Sequence, residues 1–192
     1  MKKMLVVVDY QKDFVDGSIG FPGAELLDEG IANKVKQAAE SGDSVIVYTM
    51  DTHSQDYLNT REGKALPVPH TIIETPGWDL YGKTGDAIQK AKKSKVKAKT
   101  DANVLVYELC KTTFGVSPEK MLDLFQKAGT DIEIIEMVGL VTNMCVLSNV
   151  CVFQAAWPNA QIIVDSSLCA SFDPELHQKT LDVLEGMQVK VV

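Results

Sequence analysis

The sequence predicts an α/β protein, a three-layer α/β/α sandwich around a six-stranded, mostly parallel sheet. The first observation is a series of six short apolar runs, several of them rich in β-branched residues, as in strands buried on both faces of a parallel sheet. The second is helical spacing between those runs, which implies right-handed crossovers. The third is a pair of helix starts, since Ser117 and Asp173 each precede a proline and then an acidic residue.

The pattern predicts the elements in order along the chain. The predicted strands are residues 4–8, 44–49, 103–107, 132–138, 160–164 and 188–192. The predicted helices are residues of about 25–40, 117–128, 143–156 and 174–186. Residues of about 50–102 interrupt this rhythm with prolines, glycines and two histidines. We therefore expect one domain over residues 1–192, with a long functional insertion in that segment.

Composition narrows the possible partners. The chain has 192 residues, of which 45% are hydrophobic and 23% are charged, as in a globular protein. A formal net charge of −7 argues against sequence-independent nucleic-acid binding, and the lysine-rich residues 90–99 contain no aromatic side chain for base stacking. No apolar run is long enough to cross a bilayer. We expect neither a nucleic acid nor a membrane as partner.

The cysteines and the N-terminus favour a cytoplasmic protein. The chain has no C-x-x-C pair among its four cysteines, which are Cys110, Cys145, Cys151 and Cys169. This spacing predicts reduced thiols. The first apolar stretch is too short for a signal peptide. No glycine-rich phosphate loop follows a strand, so no nucleotide cofactor is expected.

Three reactive side chains follow predicted strands. Parallel strands end at one edge of a sheet, where doubly wound proteins bind ligands, and Asp9, Lys111 and Cys145 fall there. If Thr142 or Asn143 caps the next helix, Cys145 lies in its first turn, where N–H groups and the helix dipole favour a thiolate.

These three groups would suit a cysteine hydrolase. The N–H groups of Val141 and Cys145 would bind an oxyanion, Asp9 would accept the thiol proton, and Lys111 would balance the charge. The alternative is structural, because a lone cysteine is often an apolar filler, and strand-end aspartates and lysines are often turn or surface residues. Position alone does not decide between the two.

A second cluster has the composition of a metal site. Asp51 and His53 are two residues apart, so on an extended chain they project to the same side. His70 ends a proline-braced turn that would fold back onto them. A carboxylate and two imidazoles suit zinc, iron or manganese, and Glu62 is a further candidate ligand. Hydrogen bonding of both histidines within a long loop is the simpler alternative.

The sequence resembles the isochorismatase-like cysteine hydrolases, and within them the nicotinamidases, almost from end to end. The matching segments are VVVDYQKDF, DTHSQDY with LPVPH, CKTTFG, and GLVTNMCV. The resemblance implies a catalytic triad of Asp9, Lys111 and Cys145 and a metal bound by Asp51, His53 and His70. It also implies a pocket wall that includes Phe14, Leu66 and Val141, with a cis peptide bond before Val141. Leu66 stands where the family often has an aromatic residue.

The resemblance further implies a homo-oligomeric amidohydrolase that cleaves nicotinamide to nicotinic acid and ammonia through a thioester, a step of NAD salvage. The metal would be zinc, with iron or manganese as alternatives. Another small amide, or a carbamoyl or ureido compound, is an alternative substrate for the same triad. Isochorismatase chemistry is disfavoured, since it does not require a thiol. A catalytically silent binding subunit is the non-enzyme alternative.

Overall fold

Each apolar run forms a strand, and helices bury the central strands on both faces. The strands are β1 (Lys2–Val8), β2 (Ser44–Asp51), β3 (Leu105–Lys111), β4 (Ile132–Leu140), β5 (Gln161–Ala170) and β6 (Lys190–Val191). The computed structural model describes residues 2–94 and 104–192, and there the strands form one parallel sheet in the order β3-β2-β1-β4-β5-β6. The predicted fold class is confirmed.

Seven α-helices lie within the described residues. They are α1 (Lys12–Val15), α2 (Asp28–Ser41), α3 (Arg61–Ala65), α4 (Gly82–Lys93), α5 (Pro118–Ala128), α6 (Leu147–Ala156) and α7 (Pro174–Gly186). Two of the predicted caps form: the Ser117 hydroxyl accepts from Lys120 N, and the Asp173 carboxylate accepts from Glu175 N and Leu176 N. These bonds satisfy N–H groups that have no partner within the helix.

The sheet separates two apolar clusters. Along β1, Met4, Val6 and Val8 face α5, α6 and α7, whereas Leu5 and Val7 face α1, α2 and α4. All five side chains are buried. This alternation on a two-sided buried strand is the physical reason that the run is apolar throughout.

Several boundaries differ from the prediction. β3 ends at Lys111, which is part of the strand and not the residue after it. β5 continues to Ala170 through an irregularity in its pairing with β4, so Asp165 lies within the strand, where it accepts from Ser167. The predicted sixth strand is reduced to Lys190–Val191. Pairing with a neighbour fixes these boundaries, and a sequence pattern does not contain that information.

The predicted insertion is partly helical. It contains α3, α4 and two short 3-10 segments, Tyr57–Asn59 and Pro76–Trp78. The lysine-rich stretch 90–99 begins on α4, where Lys92 pairs with Glu108 at 3.0 Å and lies over the Tyr48 ring. Its residues 95–99 lie outside the described residues. Among the described helices, none has the length and apolar content required to cross a bilayer.

Gly139 permits β1 and β4 to approach at the edge that carries the candidate site. Its φ is +119°, and a Cβ atom there would lie 2.2 Å from Val8 O. We expect Gly139→Ala to lower the free energy of unfolding by about 2–4 kcal/mol, because the strands must separate and the backbone is strained. Urea unfolding followed by circular dichroism measures the change.

Gly186→Ala is the matched control. Gly186 ends α7, and a Cβ there would have no neighbour within 4 Å. This variant should be neutral or stabilised by up to about 1 kcal/mol. Equal urea midpoints of unfolding for Gly139→Ala and the wild type would contradict the argument that β1 and β4 need a glycine to approach.

Candidate active site

The sheet brings four strand ends side by side. In the order β3-β2-β1-β4, Lys111 ends β3, Asp51 ends β2, Asp9 follows β1, and the turn with Cys145 follows β4. Lys111 and Asp51 are direct neighbours in the pairing of β2 with β3. The strand order reverses direction at β1 and β4, which is where an open parallel sheet binds its ligand.

Lys111 is the centre of this arrangement. Its Nζ lies 2.7 Å from Asp9 Oδ2, 3.3 Å from Asp51 Oδ1 and 3.5 Å from Cys145 Sγ. All four side chains are buried. The structure therefore brings together the predicted carboxylate, amine and thiol, and adds Asp51 to their contacts.

Asp9 has a backbone conformation that is uncommon for a residue with a side chain. Its φ is +44°, in the left-handed region. Thr49 holds it there: the Asp9 N–H donates to Thr49 Oγ1 at 3.1 Å, and the same hydroxyl donates to Asp9 Oδ1 at 2.6 Å. Strain of this kind persists only where surrounding contacts fix the residue, and it is frequent at functional sites.

Burial and the ammonium group of Lys111 shift the pKa values of the two aspartates that it contacts. Burial raises the pKa of Asp9 above its usual value, and Lys111 only partly offsets this. Burial also opposes the charge of Asp51, but Lys111 and two histidines together lower its pKa below the usual range. Burial opposes the charge of Lys111, yet Asp9, Cys145 and Asp51 together raise its pKa. The two carboxylates therefore differ in basicity, and Asp9 is the better proton acceptor.

The surroundings of Cys145 favour the protonated thiol. Burial raises its pKa well above the usual value, Lys111 lowers it in part, and the carboxylates of Asp9 and Asp51 raise it further. Burial and the two carboxylates thus act against the thiolate that the first turn of a helix was expected to favour. A nucleophilic Cys145 must lose its proton to a neighbour during the reaction.

The cysteine lies in a π-helical turn, Thr142–Val146, immediately before α6. Neither Thr142 nor Asn143 caps a helix, so the prediction that one of them would cap the helix with Cys145 is wrong. The Thr142 hydroxyl bonds instead to the ring Nδ1 of His177 at 2.9 Å, and Asn143 Oδ1 accepts from the Ser171 hydroxyl at 2.7 Å. The turn is thus held by α7 and by the segment that leads into it.

Val141 precedes this turn and follows a cis peptide bond, Leu140–Val141. Val141 and Cys145 both border the same cavity. Asn149 fixes the far side of the turn, since its Nδ2 donates to Cys145 O at 2.8 Å and to Phe114 O at 3.1 Å. It thereby ties the cysteine to the loop after β3.

Asp51, His53 and His70 form a compact buried cluster, with one donor atom of each within 4.8 Å of the others. His53 Nε2 lies 3.0 Å from Asp51 Oδ2 but forms no hydrogen bond. His70 Nδ1 lies 2.8 Å from Val68 O and donates to it, so in the neutral ring Nε2, which is 3.4 Å from Asp51 Oδ2, carries the lone pair. An unbonded imidazole nitrogen and a second one oriented by a backbone carbonyl fit a divalent metal.

Glu62 lies beside the cluster. Its Oε1 is 3.8 Å from His53 Nε2 and 3.9 Å from His70 Nε2, and it borders the cavity. The ring of Tyr57 packs on both imidazoles, at centroid distances of 4.5 and 4.9 Å. Burial and the neighbouring acids raise the pKa of Tyr57 to about 12, so it stays neutral.

The cavity has a volume of about 460 Å³, within the range of small-molecule sites. Asp51, Glu62, His70 and Cys145 border it together with apolar side chains, which are Phe14, Ile19, Ala65, Leu66, Phe114, Val141, Met144 and Phe172. The predicted pocket residues Phe14, Leu66 and Val141 are among them. Phe14 also packs edge-on against the His70 ring at 5.8 Å.

Sequence reasoning missed the groups that orient Asp51. Gln11 Nε2 donates to Asp51 O at 2.9 Å, and Gln11 Oε1 accepts from Asp51 N at 2.8 Å. The Thr71 hydroxyl donates to Asp51 Oδ2 at 2.8 Å. Gln11 and Thr71 are fully buried. The sequence signal that could have identified them is position, since Gln11 lies two residues after Asp9 and Thr71 directly follows His70.

Comparison with known proteins agrees with this fold. A family model described as the isochorismatase domain matches residues 3–192. A protein of Bacillus subtilis (strain 168), PncA, described as an uncharacterized isochorismatase family protein, is 32% identical over 190 residues, which cover 92% of this chain and 91% of the relative.

Solved structures give the same result. The nicotinamidase/pyrazinamidase PncA of Bacillus subtilis superimposes with a TM-score of 0.81 at 28% identity, over 100% of both chains. The pyrazinamidase/nicotinamidase of Streptococcus mutans UA159 superimposes with a TM-score of 0.81 at 27% identity, also over 100% of both chains. The family model spans nearly the whole chain, and this protein belongs to the isochorismatase family.

Proposed function

We propose that this protein is a cysteine amidohydrolase that converts nicotinamide and water to nicotinic acid and ammonia. The observation that carries the proposal is that the Cys145 thiol and the metal-type cluster of Asp51 and His70 border one apolar cavity. A ring held by its nitrogen at the cluster would place its carboxamide at the thiol. Relatives named as nicotinamidases support this substrate.

The first step is attack by Cys145 on the carboxamide carbon. The raised pKa of the thiol favours its protonated form, so Asp9 accepts its proton as the C–S bond forms. The raised pKa of Asp9 makes this transfer easier than it would be to an ordinary aspartate. The ammonium of Lys111, 2.7 Å from Asp9 and 3.5 Å from the sulfur, stabilises negative charge on either partner.

The carbonyl oxygen becomes an oxyanion in the tetrahedral intermediate. The backbone N–H groups of Val141 and Cys145 are the proposed donors, since both residues border the cavity beside the thiol. Asp9 returns its proton to the amide nitrogen as the C–N bond breaks, and ammonia leaves a thioester on Cys145. Asp9 then deprotonates a water molecule that attacks the thioester. The C–S bond breaks, nicotinic acid leaves, and Asp9 returns the proton to the Cys145 sulfur.

The metal would be held by Asp51, His53 and His70, with Glu62 as a further candidate. We propose zinc, since imidazole and carboxylate ligands suit it, with iron or manganese as alternatives. When bound, it would hold the pyridine nitrogen and orient the ring. Gln11 and Thr71 keep the Asp51 carboxylate directed at the two imidazoles.

The place of action and the assembly are further parts of the proposal. We place the enzyme in the cytoplasm because its four cysteines are free. We also propose a homo-oligomer acting in NAD salvage.

Cys145→Ala should abolish ammonia release from nicotinamide, because no other group at the cavity can form the thioester. A coupled assay for ammonia measures it, and circular dichroism checks the fold. Cys151→Ala is the matched control, since Cys151 is an exposed thiol on α6 and should retain normal turnover. Ammonia release by the Cys145 variant at the wild-type rate would rule out the thioester mechanism.

Asp9→Asn should slow acylation by on the order of 10²-fold or more, because the amide cannot accept the thiol proton. Single-turnover kinetics with nicotinamide isolate this step from product release. Asp16→Asn, at an exposed position just after α1, is the control and should react normally. A normal single-turnover rate for Asp9→Asn would mean that another base accepts the proton.

His53→Ala should lower the affinity for the metal at least about tenfold and raise KM for nicotinamide, since one of three ligands is lost. Elemental analysis of the dialysed protein gives the metal content. His177→Ala, a histidine outside the cluster, should retain the metal. Unchanged metal content in the His53 variant would remove His53 from the ligand set.

A further inference from the structure

The polar groups of the cavity are confined to one end. Lys111 contacts both Cys145 Sγ, at 3.5 Å, and Asp51 Oδ1, at 3.3 Å, so the nucleophile and the metal-type cluster lie next to each other. Glu62 adjoins the same cluster through His53 and His70. We call this end the floor of the cavity.

The outer wall of the cavity is apolar and partly exposed. It is formed by Leu66, Phe114 and Phe172, whose exposed fractions are 38%, 38% and 53%. Phe172 packs edge-on against Phe21 at 6.2 Å, which extends the apolar surface beyond the cavity. Exposed aromatic side chains that adjoin a catalytic cavity are typical of a surface that a ligand covers.

The cavity is larger than a pyridine carboxamide needs. Its volume of about 460 Å³ falls in the range of roughly 300–1,000 Å³ that accommodates drug-sized ligands. A single aromatic ring with one carboxamide is smaller than the drug-sized ligands that cavities of this volume accommodate.

The chemistry of the floor fixes the direction of the ring. In nicotinamide one ring carbon separates the ring nitrogen from the carbon that carries the carboxamide. If the nitrogen faces the cluster and the carboxamide faces Cys145, that intervening carbon faces the floor. The carbon para to it then points to the outer wall.

We propose that the site accepts nicotinamides that carry an uncharged apolar substituent on this outward-facing carbon, and that it discriminates against anionic ones. The inference rests on the proposed function and extends its substrate class. An apolar group would cover Phe114 and Phe172, whereas an anion would lose its hydration against a wall that offers no hydrogen-bond donor side chain among the described residues that line it.

The test compares three substrates by ammonia release: nicotinamide, its isopropyl derivative and its carboxylate derivative, both substituted on the outward-facing carbon. Isopropyl and carboxylate groups have nearly the same size and differ in charge. We expect kcat/KM for the isopropyl compound to be within about tenfold of that for nicotinamide, and at least about tenfold above that for the carboxylate compound.

Phe172→Lys tests the role of the outer wall. The introduced ammonium should lower the isopropyl-to-carboxylate ratio of kcat/KM at least about fivefold. Val183→Lys is the matched control, because Val183 on α7 is also 53% exposed and does not line the cavity. It should leave the ratio within about twofold.

The outcomes separate this inference from the proposed function. Turnover of nicotinamide with no turnover of the isopropyl compound, or with equal turnover of both derivatives, would overturn the inference and leave the function intact. Turnover of the isopropyl compound without turnover of nicotinamide would support the inference and correct the substrate. Silence toward all three substrates would overturn both.

Discussion

The site depends on one buried ammonium group. Lys111 contacts Asp9, Asp51 and Cys145, and without its charge two buried carboxylates would face each other in a medium of low dielectric. Removing one member of such a group leaves an uncompensated buried charge, which typically costs about 3–5 kcal/mol. The lysine is at the end of β3 and its partners are at three other strand ends, so the sheet and the site stabilise each other.

The shared ammonium leaves the two carboxylates unequal. Asp51 also faces His53 and His70, which lower its pKa, whereas burial raises the pKa of Asp9. Asp51 is therefore the weaker base of the two, which suits its proposed role as a metal ligand, and Asp9 is the better proton acceptor. A small difference in surroundings thus separates ligand chemistry from proton transfer between residues joined by a single lysine.

The cavity also separates two kinds of side chain. Its charged and ligating groups lie at the floor, and its outer wall is built from aromatic and aliphatic side chains. Three connections hold the turn that carries Cys145. They join Thr142 to His177, Asn143 to Ser171, and Asn149 to the backbone of Cys145 and Phe114. A rigid nucleophile beside a wide apolar opening suits a reaction whose chemistry is fixed and whose substrate can vary in size.

The sequence by itself determined the fold class and predicted which side chains lie together at the candidate site. The spacing of apolar residues, β-branching and helix capping are local properties of a sequence. The motifs around Asp9, Lys111 and Cys145 follow the ends of apolar runs. The tertiary structure decided the burial and the hydrogen-bond partners of those residues. The resting state of the Cys145 thiol, the partners of Thr142 and Asn143, and the support that Gln11 and Thr71 give to Asp51 arise from groups distant in sequence. Desolvation and hydrogen-bond geometry depend on which atoms meet in space, and a linear pattern does not record that.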